Sequence, residues 1–176
     1  MFTVAEITAA TSGRVTGSGE ADVTGVSTDS RSVAPGELFV PLRGEHFDGH
    51  DFIAEVAAKG ITTVLADEKW LAHHVLPAGC TGVIVKDTLR ALGDLAAAYR
   101  RRFDIPVIAV TGSNGKTTTK EMLATILELT GPGLNTEGNL NNLIGVPHML
   151  FRLRPEHQWA VLEMGMSEPG EIDRLA

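Results

Sequence analysis

Val107-Ile108-Ala109-Val110-Thr111-Gly112-Ser113-Asn114-Gly115-Lys116-Thr117-Thr118 is the stretch that decides how this chain is read. Val107–Val110 is a continuous apolar run after Pro106, the pattern of a strand buried on both faces. A glycine-rich turn follows, and then a predicted helix from Lys116 to about Leu129. Strand, glycine turn and helix form the context in which Gly-x-x-Gly-Lys-Thr holds phosphate. Glycines let the backbone curl until its N–H groups point inward at an anion. The helix N-terminus adds a positive field at the same place. Gly112, Ser113, Asn114, Gly115, Lys116, Thr117 and Thr118 are therefore the candidate nucleotide-phosphate residues. Lys116 supplies a mobile charge for terminal phosphates, and the Thr117 hydroxyl is a candidate magnesium ligand. The general pattern places a further glycine where this chain has Val110, so the loop begins at Gly112 and is a shorter variant.

Downstream, Trp159–Leu162 is a second buried-strand candidate with Glu163 at its carboxyl end. That edge of an open α/β sheet is where ligands bind, so Glu163 is a candidate for magnesium. By position alone it serves equally well as a solvated strand end. Gly138-Asn139-Leu140-Asn141-Asn142 is rich in amides, which suit sugar, phosphate or carboxylate contacts. Turn-tolerant asparagines are the simpler reading of that composition. Upstream, Asp87 or Thr88 caps a predicted helix carrying Leu89, Leu92, Leu95, Ala96 and Tyr99 on one side. Arg100-Arg101-Arg102 ends it as a solvated cationic terminus suited to the helix dipole.

The second unit thus begins near Lys86, with a parallel sheet and right-handed crossovers. Before it lies a small α/β unit. Thr3-Val4-Ala5-Glu6 reads as a capping box for a helix stopping before Gly13. Gly17–Gly25 is turn-rich. Val26–Arg31 reads as a strand and turn, and Leu38–Leu42 as a strand whose Pro41 implies an edge or a strand end. Asp51–Lys59 reads as a helix stopped by Gly60. Thr62–Ala66 and Val83–Val85 read as β-branched strands. Two polar loops stand out, Thr28-Asp29-Ser30-Arg31 and Gly44–His50. Their composition alone says no more than surface loops.

Of the 176 residues, 43% are hydrophobic, which supports a folded core. The net charge of −7, without a basic run, argues against nucleic-acid binding and against a membrane-surface role. No apolar run reaches the ~20 residues that cross a bilayer, and no signal peptide is visible. The expectation is a soluble cytoplasmic protein without stable membrane insertion. Cys80 is the only cysteine and cannot form an internal disulfide. His46, His50, His73, His74, His148 and His157 lack credible metal-ligand spacing.

The string Val107–Thr118, with Gly138–Asn142, Ile144-Gly145-Val146-Pro147 and Glu163-Met164-Gly165, resembles the Mur ligase family. Thr28–Arg31, Pro35–Val40 and Gly44–Phe52 agree. Within the family, Gly138–Asn142 and the Glu163–Ile172 string are similar to the D-alanyl-D-alanine-adding branch. The resemblance implies a small N-terminal α/β UDP-binding domain over 1–85, then a truncated P-loop parallel-sheet ATPase domain over 86–176. It implies ATP-dependent amide-bond formation through an acyl phosphate, joining D-alanyl-D-alanine to UDP-N-acetylmuramoyl-tripeptide for cell-wall synthesis, with ATP and Mg2+. It places Lys116 and Glu163 in catalysis, and Thr117 and Glu163 on the metal. Thr136, Asn139 and Asn142 fall near the muramoyl substrate or γ-phosphate, and Ser30, Arg31, Asp48, Gly49 and His50 at the UDP end.

Two departures blur the substrate side: Leu143 stands where many relatives carry an acid, and Met166-Ser167-Glu168 replaces a stretch often written with Asn-His. The resemblance further implies that 1–176 is the first part of a longer chain, monomeric at full length, and that this part alone does not complete ligation. Alternatives are another Mur-type ligase, or a nucleotide-binding relative without ligation.

Overall fold

A computed structural model of the chain describes residues 1–17 and 21–176. It separates into two compact units, Met1–Leu95 and Ala96–Ala176, with the division inside one helix. The turn-rich stretch Gly17–Gly25 includes residues 18–20, which lie outside the described residues.

The first unit opens with β1 (Phe2–Thr3) and α1 (Val4–Thr11). The capping box is present: the Glu6 N–H donates to Thr3 Oγ1 at 3.2 Å and the Thr3 N–H to Glu6 Oε2 at 2.8 Å. A cap of this kind stabilises a helix start by about 1 kcal/mol. The helix stops before Gly13, as expected, on Ser12 in the left-handed conformation. Then come β2 (Arg14–Thr16), β3 (Asp22–Val23), β4 (Gly25–Ser27) and β5 (Glu37–Phe39). A 3₁₀ turn at Gly49–Phe52 leads into α2 (Ile53–Ala58), followed by β6 (Thr63–Asp67), α3 (Glu68–Leu71) and β7 (Thr81–Val85).

The main sheet has the order β2-β7-β6-β5-β4. Strands β4 to β7 run parallel, and β2 joins antiparallel to β7. Every residue of β6 and β7 is buried, as expected for central parallel strands covered on both faces. Val33, Phe39, Ile53, Val56, Ile61, Val64, Ala66, Trp70 and Ile84 form one core cluster. Pro41 lies beyond the end of β5, so the missing N–H costs no ladder bond.

Helix α4 (Thr88–Arg100) is capped by Asp87, whose Oδ1 accepts from the Arg90 N–H at 2.9 Å. Its end is closed by Arg100, which donates to the carbonyls of Phe103 and Ile105. The second unit then carries β8 (Val107–Val110), α5 (Lys116–Leu127), β9 (Leu134–Asn135), α6 (Gly145–Leu150), β10 (Ala160–Glu163) and α7 (Glu171–Leu175). Its sheet is parallel, in the order β8-β10-β9.

The reading of Val107–Val110 as a strand buried on both faces is corrected here. Among the described residues β8 pairs only with β10, and Ala109 is exposed while its neighbours are half-buried. The fully covered strand is the central one, β10. Helix α5 covers one face through Ala124, Leu123 and Leu127 against Ile108, Val110, Trp159 and Val161.

Gly133 is the tightest point of this packing. A Cβ there would stand 2.1 Å from the Trp159 ring. The indole is buried and its Nε1 donates to the Gly131 carbonyl at 3.0 Å, so it has no free direction in which to yield. Gly133→Ala is expected to cost about 1–3 kcal/mol by overpacking. Thermal denaturation followed by tryptophan fluorescence checks this, and an unchanged midpoint would contradict the packing described.

Candidate functional site

The glycine turn joins β8 to α5. Gly115 has φ 76°, a left-handed conformation in which a Cβ would be strained, and it serves as the N-cap of α5. Helical hydrogen bonding begins with the Thr119 N–H, which donates to the Gly115 carbonyl at 2.9 Å. The N–H groups of the first turn therefore have no carbonyl to reach within the helix. Thr111–Gly115, Thr117 and Thr118 are exposed, so the turn and the start of the helix are open to solvent. Lys116 folds back over the loop, its Nζ donating to the Gly112 carbonyl at 2.8 Å. All seven predicted phosphate residues thus lie on one turn and the first residues of one helix, with N–H groups and a cation gathered where an anion fits.

Glu163 closes the other side. It is the last residue of β10, in register with Val110, the last residue of β8. That is the carboxyl edge of the parallel sheet. Its side chain is held on both oxygens: Thr117 Oγ1 donates to Oε2 at 2.8 Å, and Asn141 Nδ2 donates to Oε1 at 2.8 Å. Its N–H donates to Thr136 Oγ1, also at 2.8 Å. Glu163 is only 3% exposed, so the open alternative of a solvated strand end does not describe it.

The Thr117 and Glu163 oxygens suit a hard cation. Two neighbouring ligands of an octahedral Mg2+, each about 2.05 Å from the ion, stand about 2.9 Å apart, close to the 2.8 Å between these two atoms. Among the described residues no group of three or more His, Cys, Asp or Glu side chains is placed to hold a metal. Two protein oxygens, with the rest left to water and phosphate, is the donor set Mg2+ accepts.

The remaining predicted residues of this unit divide. Thr136 is fully buried; its hydroxyl holds the Glu163 backbone and does not face solvent. Asn139 is exposed, and its carbonyl accepts from the Asn141 N–H at 2.8 Å. Asn142 is exposed, and its Oδ1 accepts from the Ile144 and Gly145 N–H groups at the start of α6. The asparagine that reaches Glu163 is Asn141, rather than the predicted Asn139 or Asn142 of the same loop. Lys120 was missed outright. Its spacing was the available signal: it lies four residues before Ala124, on the helix face that turns inward.

In the first unit, both predicted groups follow the carboxyl ends of adjacent parallel strands, β4 and β5, the ligand edge of that sheet. Arg31 is largely exposed and grips Asp29 with two bonds of 2.9 and 2.7 Å. The Arg31 guanidinium holds the Asp29 carboxyl down at about 2, so the pair stays intact at neutral pH and is lost only as acid approaches that value. The Ser30 carbonyl accepts from Lys59 Nζ at 3.0 Å.

His50 lies inside. Its Nδ1 bonds Asp48 Oδ1 at 2.6 Å, and its Nε2 accepts the Asp67 N–H at 3.2 Å, which puts the proton on Nδ1. Arg43 bridges Asp48 at 3.3 Å and Asp67 at 2.7 Å. The buried ring of His50 shapes the loop from within, and Arg43 is the charge this cluster presents outward. Cys80 is half-buried and burial pushes its thiol up, which suits a packing role rather than a nucleophile.

Comparison with known proteins extends the match. The family model described as Mur ligase family, catalytic domain, matches residues 22–100, and that of the Mur ligase middle domain matches residues 110–176. The chain is 45% identical over 172 residues to the UDP-N-acetylmuramoyl-tripeptide--D-alanyl-D-alanine ligase of Escherichia coli (strain K12), covering 97% of this chain and 36% of the relative. It is 44% identical over 158 residues to the ligase of the same name from Treponema pallidum (strain Nichols), covering 86% and 34%. A crystal structure of MurF from Acinetobacter baumannii superposes with a TM-score of 0.88 at 42% identity, covering 99% of this chain and 37% of that one. MurF ligase from Thermotoga maritima, solved in complex with ADP, gives 0.75 at 35% identity, covering 85% and 34%. The chain spans about a third of the length of the curated relatives it matches. The two family matches together span most of the chain, with the phosphate loop inside the middle-domain match, and the chain belongs to the Mur ligase family.

Proposed function

We propose that this chain supplies the nucleotide-phosphate site and the UDP-substrate unit of an ATP-dependent, cytoplasmic ligase of peptidoglycan precursor synthesis. The reaction is addition of D-alanyl-D-alanine to UDP-N-acetylmuramoyl-tripeptide. The observation that carries the reading is the contact of Thr117 with Glu163 across the mouth of an exposed phosphate loop. The relatives named for this reaction, and the ADP bound by one of them, support the substrate assignment.

In the proposed chemistry the γ-phosphoryl group of ATP passes to the terminal carboxylate of the tripeptide, and ADP leaves. The D-alanyl-D-alanine amine then attacks the acyl carbon, and phosphate departs as the amide forms. A carboxylate oxygen is a poor leaving group until it carries phosphate, which is why the nucleotide is needed. The first-turn N–H groups of α5 bind and orient the phosphates. Lys116 exchanges its bond to the Gly112 carbonyl for a charge-assisted bond to the terminal phosphate. Thr117 and Glu163 would hold Mg2+, which would neutralise charge on the phosphates. Asn141 keeps the Glu163 carboxylate turned toward Thr117. Ser30, Arg31 and the Asp48–His50 loop, with Arg43, form the UDP end at the carboxyl edge of the first sheet. The domain assignment, 1–85 for the UDP-substrate domain and 86–176 for the start of the ATPase domain, belongs to the same proposal.

Calorimetric titration with ADP tests the phosphate half. Mg2+ should tighten binding relative to EDTA, and Glu163→Gln should remove most of that gain. Equal affinities with and without Mg2+ would defeat the reading. For the substrate half, UDP-N-acetylmuramoyl-tripeptide should bind saturably and be displaced by free UDP; a folded chain that binds neither removes the first unit from the account.

A further inference from the structure

Lys120 is the one lysine among the described residues whose side chain is fully withdrawn from solvent, at 2% exposure. Burying a lysine is costly unless its donors are satisfied, and a leucine or methionine would fill the same inward position on α5 without that cost. Its partners say what it does there. Nζ donates to the Thr136 carbonyl at 2.6 Å and pairs with the Glu121 carboxylate. Thr136 in turn accepts the Glu163 N–H on its hydroxyl at 2.8 Å, and its own N–H donates to the Val161 carbonyl at 3.0 Å. Two hydrogen bonds therefore join Lys120 to the backbone of Glu163 through one buried residue.

Helix α5 also carries Thr117, one turn earlier. The helix is thus fastened to the strand ends at two points, Thr117 to Glu163 and Lys120 to Thr136. The first fastening consists of the very atoms that the proposed function assigns to the metal. The second uses none of them. We infer that Lys120 is a positioning residue: through Thr136 it fixes the separation of the Thr117 hydroxyl and the Glu163 carboxylate, so that the pair is set for a divalent cation before the cation arrives. The inference rests on the reading of Glu163 as a metal carboxylate. It makes Lys120 a supporting partner of the kind whose loss weakens metal binding without removing a ligand.

The test is calorimetric titration of the 176-residue chain with ADP, in Mg2+ and in EDTA, for the wild type, Lys120→Met and Lys120→Gln. Lys120→Gln keeps a donor for the Thr136 carbonyl, so it serves if Lys120→Met does not fold. In Lys120→Met the affinity in Mg2+ should fall about tenfold, while the affinity in EDTA stays at the wild-type value. Lys120→Gln should fall between the two. A lysine that merely supported the fold would lower both affinities together, and that result overturns the inference. So does a wild-type response to Mg2+ in either folded variant. If the wild type itself shows no Mg2+ dependence, the proposed function fails and this inference fails with it.

Discussion

The carboxylate of Glu163 is the constraint around which the second unit is arranged. It sits buried at the end of the central strand, and three separate segments converge on the residue that carries it. Helix α5 brings Thr117, the amide-rich loop brings Asn141, and the residue after β9 brings Thr136. Thr117 and Asn141 bond the carboxylate and Thr136 the backbone N–H, and the buried carboxylate without the first two would carry the full penalty of an unpaired polar group. The loop is fixed in turn, since the Gly165 N–H donates to the Asn141 carbonyl at 2.7 Å. The phosphate loop therefore joins a strand end and a helix that are each tied to Glu163, while the loop residues themselves stay exposed.

The parts of this arrangement that are local in sequence were legible in advance. Strand, glycine turn and helix around Gly112–Thr118 follow from chain order and backbone permissiveness. The capping box at Thr3–Glu6 and the stop of α1 before Gly13 rest on contacts a few residues apart. The parts that depend on distant segments were not. An apolar run such as Val107–Val110 looks the same whether one face or two are covered, and only the exposure of Ala109, between Ile108 and Val110 that pack against α5, reveals the open face. Strands as short as Leu134–Asn135 and Asp22–Val23 carry no periodicity to detect.

The same division runs through the candidate residues. Glu163 was singled out because its position at a strand end has meaning by itself. Asn141 was not separated from Asn139 and Asn142, because three asparagines in one loop are chemically alike. Their tasks differ by direction alone: Asn141 reaches the carboxylate, Asn142 accepts the N–H groups at the start of α6, and Asn139 accepts the Asn141 N–H on its carbonyl. Thr136 and His50 were expected to face ligand and instead face inward, each using its polar atoms to hold a neighbouring backbone N–H. Polar residues beside a site are as often its supports as its contacts, and composition does not distinguish the two.

On the function proposed above, the loop and Glu163 form one magnesium–nucleotide site. The most direct measurement is a crystal structure of the chain grown with ADP and Mg2+. The β-phosphate should lie against the N–H groups of Gly112–Thr118, with Lys116 swung from the Gly112 carbonyl to phosphate and the ion beside both Thr117 and Glu163. Phosphates bound away from this turn, or an ion that leaves the Thr117–Glu163 pair untouched, would contradict it.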